Sequence, residues 1–132
     1  MEKCILAFFA GKKRPLHYSI ASMFKVNEKF GSAQDALTEL MKDDSEGFEA
    51  MRFLAVLLAN DAELCRRAEG YDQMPMLKGE EISTLMTPAE YVGLKDAISK
   101  AIGLGYHREI EDENEEVDLG LLELRKNPEA GA

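Results

Sequence analysis

The stretch from residue 48 to residue 65, FEAMRFLAVLLANDAELC, limits the possible folds of this chain more than any other part of it. Its apolar residues recur in steps of three and four, which places them in one continuous stripe on a helix of period 3.6. Phe53, Leu57 and Leu64 widen the stripe, so we expect other elements to cover this helix on more than one side. The stripe itself consists of Met51, Leu54, Ala55, Leu58, Ala62 and Cys65.

The length and charge of the chain narrow both its architecture and its partners. A chain of 132 residues, of which 45% are hydrophobic, suits a single domain with its own core. The formal net charge of −9 disfavours sequence-independent nucleic-acid binding, because phosphates repel an acidic surface. No stretch approaches the roughly 20 apolar residues that span a bilayer, and the short apolar run at residues 4–10 lacks the flanks of a signal peptide. We expect a cytoplasmic protein that binds no membrane.

The N-terminal part of the chain has the pattern of a β-hairpin. Residues 5–9 are rich in β-forming side chains, and residues 15–20 alternate apolar and polar side chains, with Ile20 among the apolar ones. The AGKK between them predicts a glycine-containing turn in which the basic residues 12–14 are solvated. A lone hairpin is marginally stable in water, so we expect it to pack on helices or to form a homo-oligomer through its exposed edge.

Helical spacing and capping residues predict four helices besides the central one. The first begins at Ile20 and carries Phe24 on its inner face, and the second is short and ends with Met41 facing inward. The other two follow the central helix: residues 79–86 place Leu85 inward, and a Thr87 cap opens the last helix.

Two glycines mark the predicted end of the domain. Gly103 and Gly105 follow the apolar face of the last helix and should end it. We therefore expect a mainly α fold of about five helices with a short N-terminal β-hairpin, in one small domain of residues 1–106, followed by a partly disordered segment of residues 107–132.

Two apolar segments outside the predicted helices are candidate partner-binding surfaces. The loop of residues 70–78 either folds back onto the core or binds a partner, and it contributes Met74, Met76 and Leu77. Residues 109–118 include seven acidic and no basic residues, and they precede a short apolar patch. This patch either docks on the domain or folds on binding a partner. Its leucines are Leu119, Leu121, Leu122 and Leu124.

The residues that usually carry catalysis do not form a recognisable site in this sequence. His17 and His107 have no partner nucleophile at a known motif, and the glycines do not precede a helix as a phosphate loop requires. The two histidines together with Cys4 and Cys65 could supply four zinc ligands, but no two of these residues lie at the short spacing typical of a zinc site. We expect no enzymatic activity, no cofactor and no metal.

The order of these elements resembles that of small bacteriophage tail assembly chaperones. Members of that family often have a glycine turn, a Pro-Leu strand and a helix that ends in Phe-Gly, and here these would be Gly11, Pro15-Leu16 and Phe30-Gly31. A short helix, a long Leu/Ala-rich helix, an EEIxxLMxPAE segment and a terminal LxxAI helix ending in glycine follow in the family. In this chain they correspond to residues 36–41, 48–65, 80–90 and 94–103.

The resemblance implies a function that the composition alone does not. A tail assembly chaperone of a phage or prophage binds the tape measure protein in the host cytoplasm, keeps it soluble and helps to recruit the tail tube protein. Such proteins are usually absent from the mature virion. The alternative is a small structural virion component, such as a helical head-tail connector or a tail completion protein, which would form a stable ring.

Overall fold

The computed structural model describes residues 4–106, and that part of the chain contains a two-stranded antiparallel hairpin followed by five helices. The predicted mainly α fold with an N-terminal β-hairpin is therefore confirmed. The elements are β1 (Ile5–Phe9), β2 (Lys12–Leu16), α1 (Ile20–Phe30), α2 (Ala33–Leu40), α3 (Ser45–Ala68), α4 (Gly79–Leu85) and α5 (Pro88–Tyr106).

Helix α3 lies at the centre of the domain, and β2, α1, α2, α4 and α5 all contact it. Asp44 caps its N-terminus by accepting a hydrogen bond from the Gly47 amide at 2.9 Å, and Arg66 and Arg67 lie in its last turn, where cations complement the helix dipole. The predicted stripe forms its core face. Fully buried residues of this face and of the elements packed on it are Met51, Leu54, Leu58, Phe9, Leu16, Leu40, Ile82, Ile98 and Ile102.

The hairpin turn is shorter than the sequence predicts. Phe9 pairs directly with Lys12, so only Ala10 and Gly11 form the turn, and both have positive φ values of 52° and 93°. The basic residues 12–14 consequently lie in β2, and their prediction as turn residues was wrong. Arg14 stabilises the turn instead, because its Nη2 donates to the carbonyl of Ala10 at 2.8 Å.

The second strand ends earlier than predicted, and α1 turns a different face inward. The His17 amide donates to the carbonyl of Leu58 in α3 at 3.1 Å, which takes the chain out of the sheet after Leu16. Ile20 thus begins α1 and is 70% exposed, as Phe24 is at 63%. Phe24 was predicted to face inward, but α1 buries Ser22 and Val26, with Met23 and Phe30 packed against the core beside them.

Two other residues predicted to face inward are exposed. Met41 is the C-terminal cap of α2 and Leu85 is the last residue of α4, and each is about half exposed. The periodic pattern is correct within both helices, where Leu40 and Ile82 are buried. At a helix end the chain turns away from the surface that the preceding turns cover, so the period no longer determines burial.

Helix α5 continues past the glycines that were predicted to end it and reaches Tyr106. A Cβ atom at Gly105 would lie 2.6 Å from Cδ2 of Tyr18, so a glycine here allows the helix to approach that ring closely. The hydroxyl groups of Tyr18 and Tyr106 are 3.1 Å apart and within hydrogen-bonding distance. Burial, and then the hydrogen bond with Tyr106, raise the pKa of Tyr18. The last turn of α5 is therefore fixed by tertiary contacts that local sequence does not encode.

Gly47 and Gly93 provide a matched test of this packing. A Cβ at Gly47 would overlap the backbone carbonyl of Lys42, whereas a Cβ at Gly93, in the middle of α5, would meet no atom within 4 Å. We expect Gly47→Ala to lower the free energy of unfolding by about 1–3 kcal/mol through overpacking. Gly93→Ala should raise it by up to about 1 kcal/mol, because alanine has the higher helix propensity. Urea unfolding of both variants measures this, and equal effects would contradict the close contact at Gly47.

Candidate functional site

An open groove of about 610 Å³ lies between α1 and α3 and is the main candidate for a binding site. Helix α3 forms its floor, α1 forms one wall, and the start of α4 closes a small part of its border. The residues that line it are Ala21, Ser22, Lys25 and Lys29 from α1, Glu49, Arg52, Phe53, Val56, Leu57, Asn60, Asp61 and Leu64 from α3, and Gly79 from α4.

The floor of the groove is a second apolar face of α3. Its lining positions recur in steps of one, three and four, which places them on the side of the helix opposite the core face. Phe53, Val56 and Leu57 are half-buried and Leu64 is 50% exposed. Phe53, Leu57 and Leu64 were predicted to be covered by other elements. Within the described residues, α1 covers this face only partly, and an apolar strip remains accessible to a ligand.

Cations border the floor although the chain as a whole is acidic. Lys29 lies over the Phe53 ring, with its Nζ 5.1 Å from the ring centroid, and Arg52 donates from Nη2 to Glu49 at 2.6 Å. Lys25 forms no ion pair with any residue of the described part of the chain. The border therefore offers positive charge to an incoming carboxylate, most directly through Lys25.

Asp61 occupies one end of the groove and joins its two helices. Its Oδ2 accepts hydrogen bonds from Ser22 Oγ at 2.6 Å and from the Ser19 amide at 3.2 Å. Ser19 in turn caps α1 by accepting a hydrogen bond from the Ser22 amide. These contacts explain why α1 buries Ser22 rather than Phe24. They give the Asp61 carboxylate hydrogen-bond donors but no cation, so it keeps its negative charge at this end of the groove.

The loop of residues 70–78, a candidate binding surface from the sequence, is held on α3 by hydrogen bonds. Asn60 holds Leu77 by two hydrogen bonds, since its Nδ2 donates to the Leu77 carbonyl at 3.0 Å and its Oδ1 accepts from the Leu77 amide at 2.7 Å. Leu77 is 4% exposed and belongs to the core, Met76 is half-buried, and Met74 is 43% exposed. The loop thus folds back onto the domain. A role for Met74 in partner binding stays a prediction.

Glu63 is the centre of the hydrogen-bond network that holds this loop, and it was not among the residues predicted from the sequence. Its carboxylate accepts hydrogen bonds from the Met74 amide at 2.8 Å, from Arg66 at 2.8 Å and from Arg67 at 2.9 Å. The amide of Met74 is the main cause that lowers the pKa of Glu63, and the two arginines add to it against the opposing effect of burial. A glutamate on a largely apolar helix, followed by arginines three and four positions later, was the signal available in the sequence.

None of the other candidate residues that lie within residues 4–106 lines the groove. Met74 and Leu77 belong to the loop described above, and the four leucines Leu119, Leu121, Leu122 and Leu124 lie outside the described residues, as His107 does. Cys4 and Cys65 are free and half-buried, and burial raises the pKa of the Cys4 thiol.

The described residues contain no group of three or more His, Cys, Asp or Glu side chains that could hold a metal ion. None of the helices in that range is both long and apolar enough to cross a membrane.

Comparison with protein families, with characterised proteins and with solved structures found no match to this chain.

The Glu63 network gives a prediction for the pH dependence of stability. Because the folded pKa of Glu63 is lowered, its contribution is fully present above the unfolded value of about 4.3 and is lost as the pH falls through the folded pKa. We expect Glu63→Gln to cost about 1–3 kcal/mol of unfolding free energy at pH 7, since it removes hydrogen bonds to charged groups.

Urea unfolding at a series of pH values tests this effect. The difference between the parent protein and Glu63→Gln should narrow as the pH falls below about 4.3. Glu28→Gln, at an exposed position of α1, is the control and should show little difference at any pH. A Glu63→Gln difference that stays constant down to acid pH would contradict the role assigned to the carboxylate.

Proposed function

We propose that this chain is a bacteriophage or prophage tail assembly chaperone that binds the tape measure protein in the groove between α1 and α3. Bound in this way, the tape measure protein would stay soluble in the cytoplasm of the host bacterium while tail tube subunits are recruited. The observation that carries the proposal is the groove itself, which has an accessible apolar floor and a cationic border on a chain of net charge −9.

The dimensions of the groove suit a helical ligand. Its floor extends from Glu49 to Leu64 of α3, which corresponds to about 22 Å, or four turns, at 1.5 Å per residue. An amphipathic helix of that length presents apolar residues at steps of three and four, and these can pack on Phe53, Val56 and Leu57. Carboxylates beside that stripe would meet Lys25 and Lys29. The favoured ligand is thus an amphipathic helix with acidic flanks.

A tape measure protein has the properties that such a groove requires. It is a very long helical chain, so before assembly it exposes apolar faces that promote aggregation. A chaperone covers these faces with an apolar groove of its own and keeps the complex soluble through a charged exterior. The resemblance of the element order to tail assembly chaperones supports the same proposal, as does the confirmed arrangement of a hairpin followed by five helices. In this role the protein leaves before the virion is complete.

Co-expression with the tape measure protein tests the proposal, with one groove variant and one matched control. Leu64→Asp places a charge on the floor of the groove at a half-exposed position, so the fold should tolerate it. Val92→Asp makes the same change at an exposed position of α5 away from the groove. We expect the parent protein and Val92→Asp to keep the tape measure protein soluble and to purify with it. Leu64→Asp should reduce recovery of the complex tenfold or more.

Two results would contradict the chaperone proposal. One is a tape measure protein that is fully soluble when it is expressed without this chain. The other is a closed ring formed by this chain alone and found in purified particles, which would favour the structural virion component. The position of the gene provides an independent test, because a tail assembly chaperone should be encoded between the tail tube gene and the tape measure gene.

A further inference from the structure

We propose that residues 109–124 of this same chain dock in the groove between α1 and α3 and are displaced when a partner helix binds there. The shape and charge of the groove, and the place where the described chain ends, support the docking. That this docking controls partner binding rests on the proposed function.

The described part of the chain ends against Tyr18, the residue that precedes Ser19 at the start of α1. Tyr106, the last residue of α5, contacts Tyr18 through both its ring and its hydroxyl, with ring centroids 5.4 Å apart. Tyr18 directly precedes Ser19, whose amide donates to Asp61. Because Asp61 lines the groove, Tyr18 and Ser19 connect Tyr106 to the Asp61 end of the floor.

The following residues are numerous enough to reach the whole floor. Leu119 lies thirteen positions after Tyr106, and an extended chain of thirteen steps spans up to about 43 Å. The floor is only about 22 Å long at 1.5 Å per helical residue. The leucines can therefore reach Phe53, at the opposite end from Asp61, without any change in the rest of the domain.

The charges of the segment and of the groove are complementary. Residues 109–118 carry seven acidic side chains and no basic one, and they precede the leucines. A chain that enters at Asp61 carries these carboxylates past Lys25 and Lys29 and then past Arg52, which already pairs with Glu49. Lys25 lacks an ion pair within the described residues, so a carboxylate near it displaces no existing partner.

The apolar residues of the segment match the apolar floor. Val117, Leu121 and Leu124 are separated by four and three positions, which is the spacing that packs one face of a helix into a groove. Docked in this way they would cover the half-buried side chains of Phe53, Val56 and Leu57, which the described part of the chain leaves accessible. The same surface would serve an amphipathic helix of a partner, so the two compete.

A second apolar surface on the domain has the wrong charge for this segment. Leu6 and Phe8 of β1 are exposed beside α5, and together they border a shallow cavity of about 450 Å³. Glu90 and Asp96 line that cavity and Lys100 is its one cation, already paired with Asp96 at 3.1 Å. An acidic segment would be repelled there, and the charge distribution selects the groove between α1 and α3.

A single tryptophan can report the docking, because the chain contains none. The full-length variant Leu121→Trp keeps an apolar side chain in the segment and provides the only indole. We expect its fluorescence emission to lie at shorter wavelength than that of a free tryptophan peptide, and to be independent of protein concentration. An emission equal to that of the free peptide would overturn the proposal. A blue shift that appears only at high concentration would also overturn it, because the segment would then be binding a second copy.

Matched second substitutions test whether the groove is the docking site. In the Leu121→Trp background, Leu64→Asp and Lys25→Glu should return the emission to the value of the free peptide. Val92→Asp and Lys13→Glu make the same changes at exposed positions outside the groove and should leave the blue shift intact. A blue shift that persists in Leu64→Asp would place the segment elsewhere and overturn the proposal.

Adding the tape measure protein to the Leu121→Trp variant distinguishes docking of residues 109–124 from the chaperone function. If both hold, the partner binds and the emission moves to the value of the free peptide. A docked tryptophan in a protein that never binds the tape measure protein would support the docking and contradict the chaperone function. Binding that is sensitive to Leu64→Asp, in a protein whose tryptophan is always solvated, would support the chaperone function and overturn the docking.

Discussion

Helix α3 carries apolar side chains on two opposite faces. Burial of the first of these, the core face, determines where the other elements of the domain lie. Met51, Leu54 and Leu58 are fully buried beneath the hairpin, α2, α4 and α5. Each large apolar side chain that leaves water in this way stabilises the fold by about 1.5–3 kcal/mol. Hydrogen bonds then fix the position of the elements, as the His17 amide does with the Leu58 carbonyl. The second face is left to α1, which is too short to cover it.

That incomplete coverage connects the architecture to function. An accessible apolar strip on a rigid helix costs solubility unless a ligand or another part of the chain covers it. The cations on its border, in a chain of net charge −9, indicate which ligands suit it. An acidic amphipathic helix satisfies both conditions. The tape measure protein and residues 109–124 of this chain are two proposed ligands with this chemistry. Because they would compete for the same groove, binding of one would regulate binding of the other.

The sequence predicted what is decided locally and failed where side chains from distant elements take part. The Thr87 cap depends on residues three positions apart, and it is present as predicted, since Thr87 Oγ1 accepts a hydrogen bond from the Glu90 amide at 3.3 Å. In α1, Phe24 was predicted to face inward but is exposed, because Asp61, far away in the sequence, holds Ser22 on the inner side. The groove was not predicted at all, since Phe53, Leu57 and Leu64 have the same apolar pattern whether a helix face is buried or open. Whether residues 119–124 bind a partner lies outside the described residues and stays a prediction.

Binding of an acidic amphipathic helix to the second face of α3 is tested most directly by site-specific photo-crosslinking. A benzophenone side chain at Val56 would lie on the floor of the groove, and the same side chain at Val92 would lie outside it. In the complex with the tape measure protein, we expect crosslinks from position 56 to residues spaced by three and four in that partner, and none from position 92. A complex that crosslinks from position 92 but not from position 56 would contradict the claim.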